Sequence, residues 1–132
     1  MKQKQAKTWL RVAFLAGAVI DGIMVPLMLA PALARIFWGF TEFPANYMYA
    51  MIMGAALMLG WTLLLIWAYM KPVERRGIAL LTMVVILGIA AANIYAVVIG
   101  LIPAARMILS WVVQAILLAI FGLGYFGSRK AK

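Results

Sequence analysis

Residues 12–33 read VAFLAGAVIDGIMVPLMLAPAL, a run of apolar and small side chains broken by one charge, Asp21. Stopped at Ile20, the run is too short to matter. Carried through Asp21 and Gly22 to Leu33, it exceeds the ~20 residues a helix needs to cross ~30 Å of hydrocarbon. Three further charge-free runs, Phe43–Met70, Gly77–Ala105 and Met107–Ser128, pass that length unaided. Accepting Asp21 inside the first run therefore makes four spans. Of the 132 residues, 68% are hydrophobic and 11% charged, against roughly 25% charged in an ordinary soluble domain. The expected fold is an all-α integral membrane protein, an antiparallel four-transmembrane-helix bundle. A single membrane domain fills 1–132, with spans at about 8–33, 47–70, 78–101 and 104–126 and basic ends at 1–7 and 127–132.

The net charge of +9 is read through its placement. Lys2, Lys4, Lys7 and Arg11 precede or open span one; Lys71, Arg75 and Arg76 join spans two and three; Arg129, Lys130 and Lys132 follow span four. Only Arg35 and Arg106 fall on the other side. Cytoplasmic loops gather Lys and Arg, so both termini are expected in the cytoplasm and the protein in the cell membrane. The same distribution argues against nucleic acid as a partner and for anionic lipid headgroups. The basic N-terminus and the long run after it, lacking a small-residue cleavage pattern, read as a retained span.

The chain has no cysteine and no histidine. That excludes thiol catalysis, disulfides, His or Cys zinc sites and His-ligated haem. One carboxylate within the spans is also too little for ordinary acid–base or metal catalysis, so neither an enzyme nor a metal or cofactor site is expected.

Asp21 is the focus of the functional reading, because a carboxylate at a helix centre costs about 2.5–3.5 kcal/mol to insert. Taking span centres near Ile20, Met58, Ile89 and Ile116, a rise of ~1.5 Å per residue puts Asp21 within about 2 Å of the midplane. Gln114 then lies about 3 Å and Asn93 about 6 Å to the outer side, with Tyr95 and Ser110 about 9 Å out. Span two offers Thr62. The expected binding residues are Asp21, Asn93, Gln114, Tyr95, Ser110 and Trp111, the aromatic pair supplying ring faces for a cation. The competing reading makes the amides interhelical glue for Asp21. Arg35, Glu42 and Arg106 are candidates for the rim of an outer entrance, with Arg106 reaching the interface or Glu42. Glu74 with Arg75 and Arg76 is read as a clamp in the tight turn joining spans two and three, which are expected to form a hairpin.

Small residues recur four apart: Ala13, Gly17; Ala18, Gly22; Ala50, Gly54; Ala56, Gly60; Gly88, Ala92, Ala96, Gly100; Ala115, Ala119. The spacing lets helices approach closely, within the chain or in a homo-oligomer. Pro26 and Pro31 are expected to kink or end span one early. The ten methionines are scattered and read as core filling.

Four short spans with an acidic residue in the first, on Ala13–Asp21, loosely resemble the small multidrug transporters. The resemblance implies a dimer that binds a small cation at that acid. Those proteins carry glutamate there, have tighter loops and often insert in both orientations, whereas ten basic residues against two fix one orientation here. The sterol-isomerase and sigma-2-type four-helix family is less similar, since its several intramembrane acids are absent. Two functions are thus expected from the residues. One is binding or translocation of a small cation, proton or apolar ligand at Asp21. The other is a non-catalytic accessory or assembly subunit of a larger membrane complex.

Overall fold

The computed structural model describes residues 3–130, so Lys2 and Lys132 of the basic ends lie outside it. The described residues form helices α1 (Gln3–Leu29), α2 (Pro31–Trp38), α3 (Ala45–Met70), α4 (Gly77–Val98) and α5 (Ala104–Lys130), with no strand among them. The four long helices are each long and apolar enough to cross a membrane. The chain is all-helical, as its composition implies.

Helix α1 is the spine. Its buried residues, Ala6, Leu10, Ala13, Phe14, Gly17 and Ala18, recur at three- and four-residue spacing and so form one stripe. Both α3 and α5 pack on that stripe, and α4 packs on α5. The contacts are antiparallel: β-carbon positions at Gly17, Gly22 and Gly54 fall against Leu65, Thr62 and Met28 respectively. On the other side Phe14 meets Phe121 edge to face, with ring centroids 5.9 Å apart. Five side chains are essentially sealed: Phe14, Phe121, Leu10, Leu65 and Met107.

Consecutive α3 and α4, expected to pack as a hairpin, scarcely touch. Each is held instead by a different partner, α3 by α1 and α4 by α5. The small residues explain the choice. Gly17, Ala13 and Ala18 let α3 and α5 close onto α1, whereas Gly60 and Gly88 have nothing within 4 Å of a β-carbon, and Ala92, Ala115 and Ala119 are exposed. Helix order is therefore α3, α1, α5, α4, with a seam between the first and last.

Span one ends sooner than its apolar run. The helix passes through Pro26, whose ring is exposed, and stops at Leu29. Ala30 then takes extended angles, φ −106° and ψ 108°. It precedes Pro31, whose ring disfavours helical angles in the residue before it, and Pro31 opens α2 at a position where its missing N–H costs nothing. Gly39 closes α2 in the left-handed region, φ 81°. Gly100 does the same for α4 at φ 73°, with Leu101 N–H bonded to Ala96 carbonyl at 2.9 Å. Gly100 thus serves as a C-terminal cap rather than as part of a packing ridge, and span three ends at Val98.

We call the face holding Gln3, the turn 71–76 and Arg129 the terminal face, and the opposite one, holding α2, the distal face. In the terminal turn the expected clamp is wired differently. Glu74 pairs with Lys71 at 3.3 Å. Arg75 lies 3.5 Å over the Trp67 ring and donates to the Trp67 carbonyl. Arg76 reaches across to the Ser128 carbonyl at 3.1 Å.

Candidate functional site

Asp21 continues the buried stripe of α1. It stands four residues beyond Gly17 and three beyond Ala18, on the face that meets α3 and α5. Below it, towards the terminal face, the core is closed by Phe14, Leu65 and Phe121, each 0% exposed. At Asp21 the character changes. Asp21, Met24, Val25 and Met28 are all partly exposed although they lie on the same stripe. The cause is the seam: with α3 and α4 apart, nothing seals the stripe from the fourth side. Asp21 is therefore the first residue past the floor of the core.

The α1–α3 register sets Asp21 level with Trp61, and the α1–α5 contacts of Leu10 with Gly124 and of Phe14 and Gly17 with Phe121 set it level with the stretch from Val113 to Leu117. Gln114 falls within that stretch. Among the described residues Asp21 has no hydrogen-bond or ion-pair partner, so the amides do not hold it as glue. Asn93 instead donates through Nδ2 to Ser110 Oγ at 3.1 Å, linking α4 to α5. Gln114 is 9% exposed, and its Oε1 is buried with no partner. The Trp111 and Trp61 Nε1 groups and the Tyr47 hydroxyl are likewise buried and unpartnered. Tyr95, at 65% exposure, stands on the outward face of α4 and is not gathered into this group.

Trp61 is the residue the sequence reading missed. Span two seemed to offer Thr62, but that hydroxyl donates to the Met58 carbonyl of its own helix at 2.8 Å. The available signal was depth. Tryptophan favours the interfaces, and Trp61 lies well inside α3, nine residues short of its end at Met70.

The three distal candidates do not form a charged rim. Arg35 lies 5.8 Å over the Phe43 ring. Glu42 is exposed, with no ion pair among the described residues. Arg106 neither pairs with Glu42 nor merely reaches outward. Its Nη1 donates to the Ile36 carbonyl at 2.9 Å, and its guanidinium presses on Gly39, where a β-carbon would stand 3.0 Å from Cζ. It fastens the end of α2 to the start of α5.

Chemically the layer offers acceptors in the Asp21 carboxylate and Gln114 Oε1, and donors in the indoles of Trp61 and Trp111. A polar atom buried without a bond costs about 1–3 kcal/mol, so several such atoms near one level are what a site for a polar ligand requires. No group of three acidic, His or Cys side chains stands ready for a metal among the described residues. Compared with protein-family models, curated proteins and solved structures, the chain matches none.

Proposed function

We propose that this is a multi-pass protein of the cell membrane, with both termini in the cytoplasm, that binds or translocates a small cation, proton or apolar ligand at Asp21. One observation carries the reading: Asp21 occupies the core stripe of α1, yet no side chain among the described residues neutralises it. A carboxylate kept at that depth without an internal partner is expensive, and a neutral residue would pack there at less cost. Met24 and Met28 on the same face are flexible and apolar, which suits a ligand of varied shape. The ring faces of Trp61 and Trp111 suit a cation. Nothing in this arrangement requires bond-making chemistry, and we read the protein as non-catalytic. Four helices enclose little space, so the working form is proposed to be an oligomer.

The deciding experiment replaces Asp21 with Asn in liposome-reconstituted protein and measures proton or cation flux, ligand binding and thermal stability. Loss of flux or binding with unchanged stability supports the site. Unchanged flux and binding refutes it.

A second reading rests on α4. This helix is held mainly by α5, and Gly88 and Ala92 on its other side are bare. An accessory subunit would present such a face to a larger membrane complex. Crosslinking from Ala92→Cys in native membranes, giving a hetero-adduct of fixed mass, is the result expected of that role.

A further inference from the structure

On the terminal face a cleft of about 530 Å³ opens between the first turns of α1 and the α3–α4 turn, with Lys4, Lys7 and Lys71 on its walls. The volume falls within the ~300–1,000 Å³ of small-molecule sites. Its charge is unbalanced. Glu74, also on the wall, is engaged with Lys71 at 3.3 Å. Lys4 and Lys7 have no ion pair among the described residues. The remaining wall is apolar, with Met70 and Val73.

From these we infer that the cleft is a binding site for the phosphate headgroup of an anionic phospholipid. The two halves of the lining answer the two parts of such a molecule. The ammonium groups meet the phosphate, whose negative charge no headgroup cation balances, and the apolar side meets the glycerol and upper acyl chain. The height is right as well: Trp9, Trp67 and Tyr69, all partly exposed, mark the belt where aromatic rings meet headgroups. A free phosphate shares the headgroup's charge but not its apolar portion, and the lining of Met70 and Val73 favours the lipid. The inference is independent of Asp21.

The test is native mass spectrometry of the purified full chain in detergent, titrated with phosphatidylglycerol or phosphatidylcholine. The expected result is selective retention of phosphatidylglycerol. Near an anionic surface each lysine contributes about 1 kcal/mol, so K4Q/K7Q is expected to weaken it about thirtyfold. K4R/K7R restores binding. Arg129→Gln, which removes an exposed cation elsewhere on the same face, leaves it unchanged. Circular dichroism confirms helix content, and if K4Q/K7Q does not fold, Lys71→Gln is read in its place, with the same direction of effect. The inference is overturned if Arg129→Gln weakens binding as much as K4Q/K7Q, or if the two lipids are retained equally. It is also overturned if inorganic phosphate displaces phosphatidylglycerol at millimolar concentration, which would make the cleft a site for a soluble anion.

Discussion

Gly17 and Phe121 meet where α1 packs between α3 and α5: a β-carbon on Gly17 would stand 3.2 Å from Phe121 Cζ, with Leu65 Cδ1 at 3.0 Å on the other side. Both neighbours are 0% exposed and have little room to retreat. Gly17→Ala requires shifts of a few tenths of an ångström, whereas Gly17→Leu must drive α3 or α5 off the spine. The leucine variant is expected to lose at least about 1–3 kcal/mol, the usual cost of overpacking, in denaturant titration of the detergent-solubilised protein. Full retention of stability would mean that the three helices do not converge at this glycine.

Asn93 and Gln114 are both mid-span amides, but they should respond oppositely. Asn93→Leu breaks the bond to Ser110 and is expected to cost about 0.6 kcal/mol, the average for interhelical bonds in a bilayer. Gln114→Leu removes a buried acceptor that has no partner among the described residues, and stability should hold or rise. If Gln114→Leu is the more damaging of the two, the glutamine has a structural bond that this geometry does not contain.

Arg106 holds α2 through the Ile36 carbonyl. Because the guanidinium is exposed, the bond is expected to contribute about 1 kcal/mol. Arg106→Gln should then speed amide exchange at Gly39 about fivefold while leaving the turn 71–76 untouched. Equal exchange in both proteins would remove Arg106 as the fastening.

Arg75 combines a ring contact with a bond to the Trp67 carbonyl. Lysine cannot reproduce the planar stack. A double-mutant cycle of Arg75→Lys with Trp67→Leu is expected to return a coupling of about 0.5–1 kcal/mol. Strict additivity would place the guanidinium elsewhere.

The number and composition of the long helices were legible in the sequence because hydrocarbon thickness and helix rise leave few alternatives for runs such as Phe43–Met70. Their ends were less so. The break at Ala30 depends on Pro31, and Pro26 offered an equally plausible stop that the helix passes through. Rotation about each axis was not legible, and this decides the site. Depth alone grouped Asn93 and Tyr95 with Asp21. The structure turns Asn93 to Ser110 and Tyr95 outward, because α4 leans on α5 and not on α3. Trp61 entered the layer for the same reason, through an antiparallel register that no single-span reading contains. The basic end charges were visible at once, but that Lys4 and Lys7 share a cleft with Lys71 needed the fold.

The separation of α3 from α4 bears on biogenesis. As the chain emerges, α3 finds α1 already waiting, so the first half of the molecule can assemble before synthesis is complete. Helix α4 has no such companion. In the proposed membrane setting it waits until α5 arrives to join it to the older pair, and a ribosome stalled near Pro103 would leave it as the piece most exposed to quality-control proteases.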